Sequence, residues 1–421
     1  MGEVVELRYI RCVSVLVFNS GSSSIRYACF DAAGEQRLAS GHVAGIGAGC
    51  GRFTHDLHDA EAAAGTPGHA GDPCRELRQR IPDHHAGFAL ALDALGDSAG
   101  LTAIGHRVVH GGERFSAPTL IDDAVLDTIR ALETLAPLHN PGNRLGIEEA
   151  RRHFPGLPQV AVFDTAFHHA LPPRAHRYAL PEGLCREHGL RRYGFHGISH
   201  QYLAQRAARL LERDPASLQL ITLHLGNGAS AAAIAGGRSV DTSMGFTPLE
   251  GLVMGTRCGD LDASVPLFLQ QQGLAAGEVQ ALLNTQSGLQ GLGGASDMRE
   301  IERRRAAGDG RAALAFDLFC YRIRKYIGAY LAVLGQVDAL VFSGGIGEHS
   351  AAVREACTAG LEPLGFELDA ARNGRALPDC SLQAPRSRAA VLLIHTDEER
   401  AIALQTAAVV AGRAPAAERS V

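Results

Sequence analysis

Residues 13–30 read VSVLVF, NSGSSS, IRYACF, and residues 218–237 read LQLITLHL, GNGAS, AAAIAGG. Each is an apolar, largely β-branched run that breaks into small residues and then resumes, the pattern of strand, tight turn, strand. A third stretch, VDALVFSGGIGEHS at 337–350, ends its apolar run in a glycine cluster ahead of a helix expected to begin near Ser350. Two hairpins with polar, glycine-bearing tips, one in each half of the chain, predict an internal duplication.

Helical patterns separate these strands. DDAVLDTIRALETLAPLHNP sets Leu126, Ile129, Leu132 and Leu135 at helical spacing behind an Asp122 or Asp123 N-cap, and must stop near Pro137. A longer amphipathic pattern from Arg311 to Leu334 delivers the chain to VDALVF. Strands alternating with helices of this length predict an α/β fold. At roughly 100 to 200 residues per domain, the length of 421 residues predicts two domains, and 46% apolar residues suffice for two cores. Residues 41–82, rich in Gly, His and Asp, read as a surface region of little chemical content, and the tail after Ala411 reads as frayed.

Composition removes several classes of function. Of 40 basic residues only Lys325 is a lysine, and it sits in YRIRKYIG, so there is no Walker A loop and no lysine-based covalent catalysis. A formal charge of -5 with scattered arginines argues against a nucleic-acid partner. The short runs Arg151-Arg152, Arg191-Arg192 and Arg303 to Arg305 read as solvated faces. The nine cysteines contain no C-x-x-C, and no apolar stretch is long enough for a membrane span, so reduced thiols in a cytoplasmic protein are expected. Nineteen histidines, including His84-His85 and His168-His169, show no H-E-x-x-H spacing, so no zinc site is expected from the sequence.

Glycine lets backbone approach a ligand closely, and serine hydroxyls with successive amide N–H groups make a concave surface for an anion. One such loop is most simply a tight turn; three, each directly after an apolar strand, favour phosphate binding. None fits the dinucleotide fingerprint G-x-G-x-x-G, which disfavours a Rossmann oxidoreductase. Polar residues packed among glycines complete the pattern: His106, Arg107 and His110 in GHRVVHGGERF, His139 and Asn140 in LHNPGN, Asp164 after the strand Val160 to Phe163, His196 in YGFHGISH and Arg257 in MGTRCGD. Singly each has a dull account: an N-cap, a core histidine, a surface ion pair. Together they supply cationic donors, an acceptor and phosphate cradles.

In order along the chain, NSGSSSIRY, HRVVHGGERF, LAPLHNPGN, VFDTAFH, YGFHGISH, HLGNGAS, DTSMGFTPLEGLVMGTRCGDLD, FSGGIGEHS and HTDEERAIA, from Asn19 to Ala403, resemble the acetokinase family of short-chain acyl kinases. The resemblance implies two similar ribonuclease H-like domains of the acetate and sugar kinase, heat-shock ATPase and actin superfold, with an active-site cleft between them. It places an N-terminal domain at 1–165, completed by a C-terminal helix at 399–421, and a nucleotide-binding domain at 166–398. It implies reversible transfer of the ATP γ-phosphoryl to acetate, giving acetyl phosphate and ADP on a route to acetyl-CoA. Mg2+, with Mn2+ as a substitute, would assist. A cytoplasmic homodimer acting on acetate or another short-chain carboxylate is expected, without nucleic acid or membrane as partner.

Carried over residue by residue, the resemblance puts Asn19 and Glu398 at the metal, and Ser22, Ser24 and Arg26 at phosphate. Arg107 and Arg257 would flank the carboxylate and the transferring phosphoryl, with His196 donating to it, Asp164 as the family's catalytic acid and His139 in the same pocket. His224, Leu225, Gly226, Asn227, Gly228, Asp297, Met298, Arg299, Gly344, Gly345, Ile346, Gly347 and Glu348 would hold ATP. Val109, Leu138, Phe195 and Pro248 match a small pocket for the acyl methyl group. Arg26 departs from the family, which has lysine there; a planar fork is not a point charge. The opening MGEVVELRYIRC also runs longer than the resemblance implies, as from a start codon assigned too far upstream. Propionate kinase is the close rival, and a binding-only nucleotide switch a distant one, since such a module has no use for a phosphoryl clamp.

Overall fold

The computed structural model describes residues 14–21, 23–58, 74–96 and 100–412, so the extra N-terminal residues and Ser22 lie outside the described residues. The chain divides into two compact units: one runs through Ala166 and takes up the chain again from Asp397, and the other is Phe167–Thr396.

The first unit is built on β1 (Ser14–Ser20), β2 (Ser24–Asp31), β3 (Arg37–Ala44), β4 (Gly51–Leu57), β5 (Cys74–Gln79), β6 (Leu101–Val108), β7 (Thr119–Leu120) and β8 (Gln159–Phe163), in the order β5-β4-β3-β2-β1-β6-β8-β7. Strands β1 and β2 form the antiparallel hairpin, while β1, β6 and β8 run parallel. Val15, Leu16, Val17 and Phe18 on β1 are all buried, as a central strand covered on both faces requires. One face carries the helices His84–Leu95 and Asn140–His153, whose Phe88 and Ala150 join Ile104 of β6 in one core. The next residue on β6, Gly105, points the other way, where a Cβ would come within 2.4 Å of Thr406 Oγ1. That missing side chain lets the helix Glu398–Val410 lie directly on the opposite face.

The second unit has β9 (Gln219–Leu225), β10 (Ala229–Ala235), β11 (Arg238–Thr242), β12 (Ala339–Ser343), β13 (Cys380–Ser381) and β14 (Ala390–Leu393), in the order β11-β10-β9-β12-β14-β13. Here β9 and β10 are the hairpin, and β9, β12 and β14 run parallel. The five-strand core β3-β2-β1-β6-β8 therefore recurs, with the same order and the same strand directions, as β11-β10-β9-β12-β14. The duplication read from the two hairpins extends to the whole sheet core. The long helix is Gly310–Leu334, started by Asp309, which accepts from the Arg311 and Ala312 amides.

Two expectations fail. The described part of residues 41–82 contributes to β3, β4 and β5 rather than to a featureless surface, and 59–73 lie outside the described residues. Gly41 sits where a Cβ would meet the Tyr27 ring at 2.3 Å, so its glycine marks aromatic packing. Arg192 is not on a solvated face: its side chain is 16% exposed, and it donates to Glu250 Oε1 at 2.5 Å and to the carbonyls of Ser243 and Met244. Cys29, Cys50, Cys185, Cys258, Cys320, Cys357 and Cys380 are free thiols, and among the described residues no helix is long and apolar enough to cross a membrane.

Three buried histidines couple this fold to pH. Burial pushes His106 and His168 down to about 4, and lowers His200 well below the usual range. In the unfolded chain each titrates near 6.5, so the unfolded state gains protons first as pH falls. The contribution of His106 and His168 is intact above that value and lost between it and about pH 4, on the order of a few kcal/mol per site, and His200 acts in the same direction. The urea midpoint is expected to drop steadily over that window; a midpoint that stays flat or rises would contradict the account.

Candidate active site

In the first unit the carboxyl ends of β1, β6 and β8 bring Asn19, Arg107 and Asp164 together. Arg107 is a residue short of the end of β6, and Asp164 follows β8 with its amide donating to the Val108 carbonyl. Arg107 forks onto Asp164, Nη2 to Oδ2 at 2.5 Å and Nε to Oδ1 at 3.3 Å, while Nη1 reaches Asn19 Oδ1 at 3.4 Å. Glu398, in the first turn of its helix, puts Oε2 3.9 Å from Arg107 Nε.

Asp164 is 1% exposed. Burial pushes its carboxyl up to about 6, against the pull of Arg107 and helped by the charge of Glu398. For Arg107, burial disfavours the cation, but Asp164 and Glu398 outweigh it, so the guanidinium stays protonated.

The loop after β6 is held by the Asn140–His153 helix, which Pro141 helps to start. Asn143 accepts from the Val109 amide at 3.0 Å and donates to the Ser20 carbonyl at 2.6 Å. Asn140 accepts from the His110 amide at 3.1 Å and donates back to its carbonyl. Thr165 Oγ1 accepts from the Gly111 amide. Thus one helix turn fixes the ends of β1 and β6 that flank Arg107.

In the second unit, His196 caps the helix Gly197–Leu210 with φ 56°, one of two non-glycine residues with positive φ among those described. Its Nδ1 is hydrogen-bonded to Ser230 Oγ at 2.8 Å; Ser230 is bonded in turn to His200 Nε2, and His200 Nδ1 to Thr222 Oγ1. The His224 ring lies 4.3 Å from that of His196 and is tied to Ser199. Beside them Arg257 donates Nη1 to the Pro248 carbonyl at 2.6 Å and forms no ion pair among the described residues. Burial alone pushes its guanidinium down to about 10.

The β9–β10 turn touches both Arg257 and His196. A Cβ on Gly228 would stand 2.7 Å from Arg257 Nη2 and 3.3 Å from His196 Nε2, so the bare backbone makes the wall they share. Gly226 donates to the Gly228 carbonyl, and Asn227 accepts from the Gly255 amide. After β12, Gly344 has φ 76°, and a Cβ there would lie 2.7 Å from the Leu225 carbonyl oxygen. A side chain would clash with β9 and strain the turn.

A family model described as the acetokinase family matches residues 14–404. The chain belongs to the acetokinase family. An acetate kinase of Streptomyces griseus is 54% identical over 409 residues, 95% of this chain and 97% of the relative. One from Syntrophobacter fumaroxidans is 52% identical over 402 residues, 93% and 96% of the two chains. Among solved structures, the acetate kinase of Porphyromonas gingivalis aligns at TM-score 0.86 with 39% identity, over 95% of this chain and all (100%) of that one. A propionate kinase from Francisella tularensis aligns at 0.85 with 38% identity, over 93% and 98%.

Within this acetokinase fold the residues singled out from sequence fall into three groups. Asn19, Arg107, Asp164 and Glu398 meet in the first unit, and His196, His224, Gly228, Arg257 and Pro248 in the second. Others have structural occupations. Glu348 accepts from the Gly344 and Thr396 amides and bonds His395 Nδ1 at 2.7 Å; burial would raise its carboxyl, but these donors hold it below the usual range. Asp297 caps the Met298–Ala306 helix and pairs with Arg299, whose side chain is 88% exposed, while Met298 is buried. Val109 and Phe195 are buried, Leu138 is exposed, and Arg26 is an exposed residue of β2 opposite Asn19.

The residues that sequence reading missed are the supports: Asn143, His200, Ser230 and Thr222. The spacing of His196 and His200, four apart at a helix start, was the available signal for one of them. Gly228→Ala tests the shared wall. The tip of Arg257 has to yield and the His196 ring has to give by a few tenths of an ångström, so the fold should survive while turnover falls on the order of 10²-fold, the usual effect of displacing a reacting group by an ångström. Normal turnover would show that Arg257 and His196 do not depend on that wall.

Proposed function

We propose that the protein is an acetate kinase, transferring the γ-phosphoryl of ATP reversibly to acetate to give acetyl phosphate and ADP. The observation that carries this is Arg257: a guanidinium pushed down by burial, with no carboxylate paired to it among the described residues, beside a histidine and a glycine-rich turn. Such a cation calls for an anionic ligand, and the phosphoryl group is the anion that acetokinases move.

Acetate is ionised at pH 7, so the nucleophile needs no base. What opposes reaction is repulsion between two anions and the charge spread over three equatorial oxygens in the transition state. Arg107 binds the carboxylate with the Nη N–H groups that Asp164 leaves unused. Asp164 positions Arg107 rather than moving a proton, since both its oxygens are committed to that fork. His196 and Arg257 donate to the phosphoryl oxygens, preorganised by Ser230 and by the Pro248 carbonyl. The turns after β1, β9 and β12 take the nucleotide phosphates through backbone amides, with Ser24 and Arg26 at the start of β2 beside the first.

Asn19 and Glu398 offer an amide and a carboxylate oxygen only loosely engaged with Arg107, at 3.4 and 3.9 Å. Two such hard oxygen donors fit Mg2+. When bound, the cation would neutralise nucleotide phosphate charge. Free thiols support a cytoplasmic setting. Exposed Leu314 and Tyr321, seven apart on one helix, with Leu267 and Phe268, support a homodimer.

The structural likeness to a propionate kinase keeps the longer acyl chain as the second reading, since one methylene is discriminated by only about 1 to 3 kcal/mol. A hydroxamate assay with ATP, Mg2+ and acetate, propionate or butyrate separates the readings. Acetate should give the highest kcat/KM. A clear preference for propionate would favour the second reading, and no acyl phosphate from any of the three would overturn both.

A further inference from the structure

Away from the residues above, the His84–Leu95 and Asn140–His153 helices bring three donor atoms together. His85 stands in the first turn of one helix; Glu149 and His153, four apart, share a face at the end of the other. Glu149 Oε2 lies 3.0 Å from His85 Nδ1 and 3.8 Å from His153 Nε2, and all three ligand atoms lie within 4.8 Å of one another. A tetrahedral ion with bonds near 2.0 to 2.2 Å sets its ligands roughly 3.3 Å apart, so small rotations suffice.

A cation already sits at their focus. Arg152 Nη2 is 2.5 Å from His85 Nδ1, 2.7 Å from Glu149 Oε2 and 3.0 Å from His153 Nε2. One guanidinium nitrogen carries two hydrogens, so no more than two of these three contacts can be straight hydrogen bonds. Its side chain is 53% exposed and free to swing into water.

The geometry points to a divalent transition-metal site formed by His85, Glu149 and His153, with Zn2+ as the fitting ion and Arg152 as the group it displaces. Two imidazoles and one carboxylate suit Zn2+ and its neighbours, whereas Mg2+ prefers an all-oxygen shell. A fourth position would remain for water. The ion would staple together two helices, one of which fixes the ends of β1 and β6 through Asn140 and Asn143. The site is invisible as a sequence motif because His85 is 64 residues from Glu149.

The test is equilibrium dialysis of the full chain against Zn2+ in a large excess of Mg2+, with wild type, His85→Ala/His153→Ala and Arg152→Ala. The wild type should hold one more Zn2+ per chain than the double variant, whose affinity at this site should fall roughly 10²-fold or more. Arg152→Ala should bind more tightly than wild type. Zn2+ should raise the melting temperature of wild type and not of the double variant, which should match wild type in circular dichroism without metal. Equal Zn2+ uptake by wild type and the double variant, or weaker binding by Arg152→Ala, would overturn the proposal.

Discussion

A guanidinium held inside the first unit by the fork of a buried carboxylate, Asp164, is the constraint around which that unit is arranged. Arg107 and Asp164 come from neighbouring parallel strands, so their meeting requires β6 and β8 to pair in one register, His106 against Ala161 and Val108 against Phe163. A buried ion pair contributes little net stability, because desolvation offsets most of the attraction, yet removing one partner typically costs about 3–5 kcal/mol. The fork is therefore better understood as a device for position. Everything near it serves that end: the glycine that admits the C-terminal helix, the two asparagines that tie the β6 loop, and the carboxylate of Glu398 at a helix start.

The second unit repeats the sheet and inverts the electrostatics. Arg107 has its charge answered within the protein, while Arg257, among the described residues, has no ion pair and donates to the Pro248 carbonyl beside a glycine wall. A cation left without a counter-ion at partial burial is costly to fold, and the expense makes sense where an anionic substrate completes the site. Its neighbour His196 adopts a left-handed backbone that few residues take, and a chain of hydrogen bonds through Ser230 and His200 holds its ring. Both features place conformational and electrostatic strain where binding can relieve it.

The sheet core was legible in the sequence because apolar runs bounded by glycine are local signals. VSVLVF, IRYACF and LQLITLHL each announce a strand without help from the rest of the chain. Strands β3 and β4 were not legible, since most of their residues face solvent or polar neighbours; in β3 only Ala39 and Val43 are buried. Glycine in that stretch suggested a loop, whereas Gly41 makes room for Tyr27. Within the site, charged residues set among glycines stood out, but their supports did not. Asn143 looks like any asparagine until the fold places it between Ser20 and Val109. Glu348 shows the converse: a conspicuous acid in a glycine loop whose oxygens are occupied in closing that loop onto Thr396 and His395.

The claim that Asp164 works through Arg107 is open to a double-mutant cycle on kcat/KM, using Arg107→Ala, Asp164→Asn and the two combined. If the carboxylate only positions the guanidinium, each single change should lower kcat/KM by roughly 10² to 10³, and the double variant should be about as poor as Arg107→Ala alone. Losses that multiply would show that Asp164 acts on the reaction independently of Arg107, and would contradict the account.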